Sequence, residues 1–204
     1  MLKRTDILKI LGALVLVTAA LEAAVPSGWF LAGSKPQEYD CNIDSANPYN
    51  GLPSVYLRSK EGVTTTGFGT MMQSFGATQY LGKRLRLSGY LKSDSVTSWG
   101  GLWMRIDDAN QTSGGYPKSV GFDNMHDGLK DRSIKGTTGW QNYSVVLDVP
   151  EGATSISIGF LLAGPGTLWL SNVKVEVVGN DVPVTGRPPN APPPNGPTNL
   201  SLTQ

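Results

Sequence analysis

The sequence predicts an all-β protein built as an antiparallel β-sandwich. Apolar and polar residues alternate with a period of two in many short segments, as expected for strands with one buried side. We find no long stretch in which apolar residues recur every three to four positions, the spacing of an amphipathic helix. The alternating segments are separated by turns rich in Gly, Asn and Ser. Many short strands joined by such turns are typical of a sandwich or barrel.

The alternating segments define the candidate strands in chain order. One of them, Ser119 to Phe122, is short. The candidates are Ser54 to Ser59, Phe68 to Phe75, Arg84 to Lys92, Leu102 to Asp107, Ser119 to Phe122, Gln141 to Val149, Ser155 to Leu162 and Thr167 to Val178. In the last of these, the alternation breaks at Ser171 and Asn172, which predicts a β-bulge that reverses the register.

The alternation also assigns one side of each strand to the core, because successive side chains point to opposite faces of a sheet. We expect three inward rows, with the residues between them, such as Arg86, Tyr90 and Val146, on the reverse side. The rows are Leu85, Leu87 and Leu91; Tyr143, Val145, Leu147 and Val149; and Ile156, Ile158, Phe160 and Leu162.

The ends of the chain differ in composition from its middle. Residues 1–24 combine Lys3 and Arg4 with an apolar run and small residues, which predicts a signal peptide or an N-terminal anchor. Residues 181–204 contain seven of the 14 prolines and predict a flexible tail. A single β-sandwich domain is therefore expected over residues 25–180, exported to the periplasm or the cell exterior. Membrane attachment is expected only through an uncleaved N-terminal segment.

Charge and cysteine content restrict the class of partner. The formal net charge is +1, and the lysines and arginines are scattered, so a nucleic-acid partner is not expected. Cys41 is the only cysteine and cannot form a disulfide within the chain. We interpret it as a small buried residue.

Two long segments resemble a known family. "GATQYLGKRLRLSGYLKS" (76–93) and "TTGWQNYSVVLDVPEGATSISIGFLLAGPGTLWLSNVKVEVV" (137–178) are similar to the carbohydrate-binding-module type of galactose-binding-like jelly-roll domain. The shared features are a tyrosine-containing turn before a core strand, a Trp that opens a later strand, a "VPEGA" turn and a long final strand. The resemblance implies a jelly roll that serves as a bacterial accessory module, with a binding role rather than a catalytic one.

Members of that family often carry a structural calcium, held partly by acidic residues of the last strand. This chain has Ser171 and Asn172 in its last strand instead. We therefore expect no cofactor, and a structural calcium stays an open alternative.

The candidate binding residues lie on the polar side of two neighbouring candidate strands. If Arg84 to Lys92 and Leu102 to Asp107 belong to one sheet, their outward side chains share a surface. An aromatic ring can stack on the C–H face of a sugar, and planar charged groups can pair with its hydroxyls. Three interpretations stay open: a ligand face, a network covered by a loop, and an ordinary solvated face. The residues of this predicted surface are Arg86, Tyr90, Trp103, Arg105 and Asp107.

The segment "GFDNMHDGLKDR" (121–132) concentrates polar side chains that could reach over the Trp103 face, in particular Asp123 and Asn124. Its spacing does not match a calcium-binding loop, and no metal site is expected. Asp and Asn side chains that bond their own backbone explain the composition equally well.

The sequence offers little support for catalysis. His126 is the only histidine, and no serine or cysteine has the sequence context of a nucleophile. We therefore expect a non-catalytic exported module that binds carbohydrate through the Trp/Arg/Asp-bearing face. The alternative is a cell-envelope domain for protein interaction or sensing, with a protein partner and no sugar ligand.

Overall fold

Nine antiparallel strands make up almost all of the regular structure in the computed structural model, which describes residues 25–62, 64 and 66–186. Their bounds are β1 Phe30–Gly33, β2 Tyr39–Tyr49, β3 Leu52–Ser59, β4 Phe68–Gly76, β5 Arg84–Ser113, β6 Tyr116–Asp123, β7 Ile134–Asp148, β8 Ser155–Ala163 and β9 Thr167–Val178. Short 3₁₀ turns cover Pro36–Glu38 and Thr78–Tyr80. The predicted all-β class is confirmed. No helix in the described part of the chain is long and apolar enough to cross a membrane.

Strand β5 determines the architecture, because its two halves belong to different sheets. The half from Arg84 to Asp94 pairs with β7 on one side and β9 on the other. The half from Trp99 to Asp107 pairs with β8, and from Met104 onward β5 also pairs with β6. Between the halves the register with β7 shifts repeatedly, and Ser95 has a φ of +53°. The strand therefore bends and passes from one layer of the sandwich to the other.

The two layers follow from these pairings. The first sheet has the order β7-β5-β9-β3-β2, and the second has the order β6-β5-β8-β4-β1. The inward side chains of both sheets form one continuous hydrophobic core. The outward side chains of the two sheets consequently face away from each other, on opposite sides of the sandwich.

The predicted inward rows are largely confirmed. Leu85, Leu87 and Leu91 are at most 1% exposed, and Cys41 is buried among the core residues as expected. Burial raises the pKa of the Cys41 thiol, which disfavours the reactive thiolate. The remaining buried members of the predicted rows are Val145, Leu147, Val149, Ile156, Ile158, Phe160 and Leu162.

Two assignments on β7 differ from the prediction. Tyr143 is only partly buried, whereas Val146, expected on the reverse side, is 2% exposed. Val146 is covered because the chain after β9 folds back along β7: the amide of Thr185 donates to the carbonyl of Val146 at 2.9 Å. Gly186 then packs beside Leu147. The folded domain therefore extends at least to Gly186, past the predicted boundary at residue 180.

The predicted bulge in β9 is confirmed. Ser88 lies opposite Lys174, but Tyr90 lies opposite Ser171, so β9 has one residue more than β5 over this stretch. Asn172 has a φ of +51°, the left-handed conformation that a bulge can require. The predicted leader, residues 1–24, and the tail from residue 187 lie outside the described residues.

Candidate functional site

The structure divides the predicted binding residues between two surfaces. Arg86 and Tyr90 lie on the outer side of the first sheet, whereas Trp103, Arg105 and Asp107 lie on the outer side of the second. The premise that both strand segments share one sheet is wrong, because β5 crosses between the layers. Arg86 and Tyr90 therefore cannot contact a ligand that lies on Trp103.

Trp103, Arg105 and Asp107 belong to a cleft of about 420 Å³ on the outer side of the second sheet. All five strands of this sheet contribute to the cleft, so it lies across the sheet rather than at one edge. We call it the Trp103 cleft. Its lining residues are Ala32, Gly33, Phe68, Thr70, Met72, Trp103, Arg105, Asp107, Phe122, Asn124, Ser157 and Leu161.

The indole of Trp103 forms part of the floor of the cleft and is fixed in place. Trp103 is 7% exposed, and its Nε1–H donates to Oγ1 of Thr70 at 2.7 Å. Thr70 belongs to β4, two strands away, so the indole must cross β8. It does so at Gly159, where a Cβ would lie 2.8 Å from the indole nitrogen. Because Gly159 has no side chain, the ring can lie across the sheet.

Arg105 and Asp107 form the polar part of the cleft. The Nε of Arg105 lies 2.8 Å from Oδ1 of Asp107, and the two side chains are 42% and 12% exposed. Phe122 of β6 lies directly opposite Arg105 in the sheet and is 40% exposed. An accessible aromatic ring thus lies next to a guanidinium and a carboxylate.

Asp123 does not contribute to the cleft. Its side chain is fully buried, pairs with Arg132, and accepts a hydrogen bond from the amide of Met125 at 2.8 Å. It is therefore unavailable to a ligand, contrary to its predicted role in binding. The hydrogen bonds of Asp123 with Met125 and Arg132 instead hold the loop against β6.

Asn124 lines the cleft, as expected, but its polar atoms are largely engaged by its own loop. Its Oδ1 accepts hydrogen bonds from the amides of His126 and Asp127 at 3.1 and 2.7 Å. Its Nδ2 donates to the Asp127 carboxylate at 2.9 Å. The interpretation that polar side chains of this segment bond their own backbone is confirmed for Asn124. Asn124 therefore shapes the cleft more than it offers free hydrogen-bonding groups.

The side chain of His126 is also engaged by contacts within the domain. Its ring stacks on Trp99 with 4.7 Å between centroids, and its Nδ1 lies 3.0 Å from the Asp127 carboxylate. Next to it, Met125 is fully buried in the core. The loop therefore packs beside the Trp103 cleft and leaves Arg105 exposed, so the face is neither covered by the loop nor uniformly open.

Several cleft residues were not predicted from the sequence. Phe68, Thr70 and Met72 alternate on one side of β4, a pattern that was visible in the sequence. Assigning that side to the same face as Trp103 required the pairing of β8 between the two strands. Phe122 required the register of β6 against β5, which the sequence does not give.

No protein-family model matches the chain. A curated relative, the uncharacterized HTH-type transcriptional regulator YbfP of Bacillus subtilis (strain 168), is 44% identical over 158 residues. The match covers 78% of this chain and 50% of that protein, so the chain spans about half the length of the relative.

Solved structures with a similar fold include carbohydrate-binding modules. The C-terminal family 22 carbohydrate-binding module of Clostridium thermocellum Xyn10B superposes with a TM-score of 0.51 and 11% identity, over 76% of this chain and 89% of that one. A family 30 carbohydrate-binding module gives a TM-score of 0.50 and 16% identity, over 73% and 92%. The domain has the jelly-roll fold of carbohydrate-binding modules. The expected resemblance is thereby confirmed for the fold.

The same fold also occurs within a larger bacteriophage protein. The enzymatically active domain of bacteriophage CBA120 tailspike protein 4 gives a TM-score of 0.50 and 17% identity. That match covers 74% of this chain but 20% of the tailspike chain. At such identities, likeness shows the fold and not the activity.

Proposed function

We propose that this domain is a non-catalytic module that binds a saccharide in the Trp103 cleft. The observation that carries the proposal is the combination of an accessible aromatic ring, Phe122, with the Arg105–Asp107 pair, in a cleft that crosses a whole sheet. The similarity of the fold to that of carbohydrate-binding modules also supports a saccharide as the ligand.

The chemistry of the cleft suits a sugar ring. The apolar C–H face of a sugar packs on an aromatic surface, for which Phe122 and Phe68 are available. The sugar hydroxyls pair with planar charged groups, and Arg105 has donors beyond the one that it gives to Asp107. In this account the buried Trp103 shapes the floor, and Phe122 provides the stacking surface.

The number of carboxylates in the Trp103 cleft favours binding without cleavage. Glycoside hydrolysis generally requires two carboxyl groups that flank the bond to be broken. Among the described residues that line the cleft, Asp107 is the sole carboxylate, and Arg105 already pairs with it. A bound saccharide would therefore be held and released unchanged.

A second candidate function is sensing in the cell envelope, through a protein partner and without a sugar ligand. The identity with a protein named as an HTH-type transcriptional regulator favours it. The part of the chain described by the structure contains no α-helix and so no helix-turn-helix motif. In this candidate the described domain detects a ligand or a partner.

Export is part of both candidates and depends on the predicted leader, residues 1–24. Cell fractionation followed by N-terminal sequencing of the purified protein tests it. A periplasmic or extracellular protein, either lacking the leader or retained at the membrane by it, is the expected result. A cytoplasmic protein with an intact leader would contradict export.

The binding proposal is tested by affinity gel electrophoresis against soluble neutral polysaccharides, including xylan and mixed-linkage glucan. We expect at least one of them to retard the wild-type protein. Retardation should be lost in Phe122→Ala and strongly reduced in Arg105→Gln. Leu129→Ala is the matched control, because Leu129 is also an exposed apolar residue, at 54%, but does not line the cleft.

Two outcomes argue against the proposal. Equal mobility of the wild type with and without every polysaccharide removes the saccharide function, and equal retardation of wild type and Phe122→Ala moves the site elsewhere. Cross-linking in intact cells, followed by purification of the domain, tests the alternative. Sensing through a partner is favoured by two results together: no polysaccharide retards the domain, and the domain recovers a single envelope protein in stoichiometric amount.

A further inference from the structure

A second depression lies on the outer side of the first sheet, about 270 Å³ in volume. It is lined by side chains of β7, β5 and β9. We call it the Arg86 groove and define it by Arg86, Ser88, Tyr90, Ser144, Lys174 and Glu176. Because the two sheets face away from each other, this groove is separate from the Trp103 cleft.

The shape of the groove follows from side-chain size. Ser88 of β5 lies opposite Ser144 of β7, so two short side chains form the floor. Arg86 and Glu176, also directly opposite each other, stand at one end. Tyr90 stands at the other end, where its ring stacks on Tyr49 with 4.0 Å between centroids. The groove therefore has a flat floor, a charged end and an aromatic end.

The bulge in β9 keeps one side of the groove open. The extra residue at Asn172 places Lys174 beside Ser88. Strand β3 pairs with β9 only from Arg58 to Ser54, which reaches Ser171 and goes no further. In the described structure, the Lys174 part of β9 thus has no paired strand on its outer side, and a ligand can enter there.

The groove contains an unpaired hydrogen-bond donor and more positive than negative charge. Glu176 pairs with Arg86 at 3.0 Å, which leaves the Nε of Arg86 buried without an acceptor. Lys174 is exposed and forms no ion pair with another described residue. Two cations thus face one carboxylate, and Lys174 is the charge left over.

The geometry points to an acidic saccharide, with a hexuronate unit, as the ligand of the Arg86 groove. The ammonium group of Lys174 binds the uronate carboxylate as a charge-assisted hydrogen-bond donor. The hydroxyls of Ser88 and Ser144 exchange hydrogen bonds with the sugar hydroxyls. The Tyr90 ring offers apolar surface to the C–H groups. This site goes beyond the proposed function, since it uses another sheet and another class of saccharide.

Chemical-shift mapping of the wild-type protein with ¹⁵N labelling tests this inference. The probes are the trimers of galacturonate, mannuronate and glucuronate, each compared with its neutral methyl ester. We expect at least one free acid to shift the amides of Ser88, Ser144 and Lys174 saturably. The affinity for the free acid should exceed the affinity for its ester by about tenfold, because one hydrogen bond to a charged group changes the affinity by about that factor. The affinity should also fall as salt is raised.

The variants assign the effect to the groove. Lys174→Gln should abolish the preference for the free acid, and Tyr90→Ala should weaken binding of acid and ester alike. Lys130→Gln is the matched control, because Lys130 is exposed but lies outside the groove. Arg105→Gln should leave uronate binding unchanged, which separates this site from the Trp103 cleft.

Three results would overturn the inference. One is the absence of shifts at the groove with all three uronates, and another is an acid preference that survives in Lys174→Gln. The third is uronate binding that disappears in Arg105→Gln and persists in Tyr90→Ala, which would assign the ligand to the Trp103 cleft. A failure of neutral polysaccharides to bind would leave these measurements unaffected.

Discussion

The indole N–H of Trp103 donates to the hydroxyl of Thr70 at 2.7 Å, across the intervening strand β8. Thr70 in turn donates to the carbonyl of Phe160 at 2.9 Å, which fixes the hydroxyl as an acceptor for the indole. The path between the two residues passes over Gly159. These contacts define the floor of the Trp103 cleft and lead to the first two predictions.

Gly159→Ala should destabilise the domain and displace the indole. The added Cβ would lie 2.5 Å from the carbonyl oxygen of Met71 and 2.8 Å from the indole nitrogen. We expect a loss of about 1–3 kcal/mol in the free energy of unfolding, as for other overpacked interiors. Denaturant unfolding measures it. Gly76→Ala is the control, because a Cβ there meets nothing within 4 Å; equal stability of the two variants would contradict the packing account.

Thr70→Val should remove the acceptor of the indole N–H while keeping the volume of the side chain. A donor left without a partner in a buried site costs about 1–3 kcal/mol. The indole proton resonance of Trp103 should also move in an NMR spectrum. Thr112→Val, at an exposed position, should change neither quantity. An unchanged free energy of unfolding in Thr70→Val would show that the hydrogen bond is energetically unimportant.

Arg132→Gln should be strongly destabilising, because the Asp123 carboxylate that it leaves behind is fully buried. Removing one partner of a buried ion pair typically costs about 3–5 kcal/mol. The exposed pair of Lys60 and Asp40, whose side chains are each 47% exposed, offers the contrast. Lys60→Gln should cost less than about 1 kcal/mol. Similar losses in both variants, measured by thermal unfolding, would argue against the structural role of Asp123.

Asp44 should contribute a pH-dependent part of the stability. Burial alone would raise its pKa, but hydrogen bonds from Trp169, Asn47 and two backbone amides lower it below the ordinary value. Because the pKa is lower in the folded state, ionised Asp44 stabilises the protein at pH values above the unfolded-state pKa of about 3.9. This contribution disappears as the pH falls through the lower folded-state pKa.

Thermal unfolding of the wild type and Asp44→Asn between neutral and strongly acidic pH measures this effect. At pH 7 the free energy of unfolding of the wild type should exceed that of Asp44→Asn by on the order of 1 kcal/mol, because the hydrogen bonds are made to a charged group that is partly exposed. The difference should close in acid. A gap that stays constant with pH would show that the charge of Asp44 does not matter.

Much of the fold could be predicted from the alternation of side chains. The rows from Leu85 to Leu91 and from Ile156 to Leu162 are buried as expected, since alternation on a sheet directly reports which side faces the core. Strands β1 and β2 were not predicted from the sequence. β1 has four residues, and β2 is mostly polar and contains Pro48, so neither shows a clear apolar side.

The candidate site was only partly predictable. Trp103, Arg105 and Asp107 share a face because they alternate on one strand, which is a local property. Whether Arg86 joins them depends on the sheet to which each half of β5 belongs, which is a long-range property. The bend near Ser95 carries no strong local signal, and it separates the two halves. Exposure also depends on distant neighbours: Thr70 and Gly159 determine how the Trp103 ring lies.

The most direct test of the central claim is an NMR titration of the wild-type protein with short oligomers of the neutral polysaccharides. We expect at least one oligomer to shift the amides of Arg105 and Phe122 and the indole proton of Trp103 saturably. The same oligomer should leave Ser88 and Lys174 unmoved, and Phe122→Ala should abolish the shifts. If no neutral oligomer moves the cleft signals, or if Phe122→Ala responds as the wild type does, saccharide binding in the Trp103 cleft is wrong.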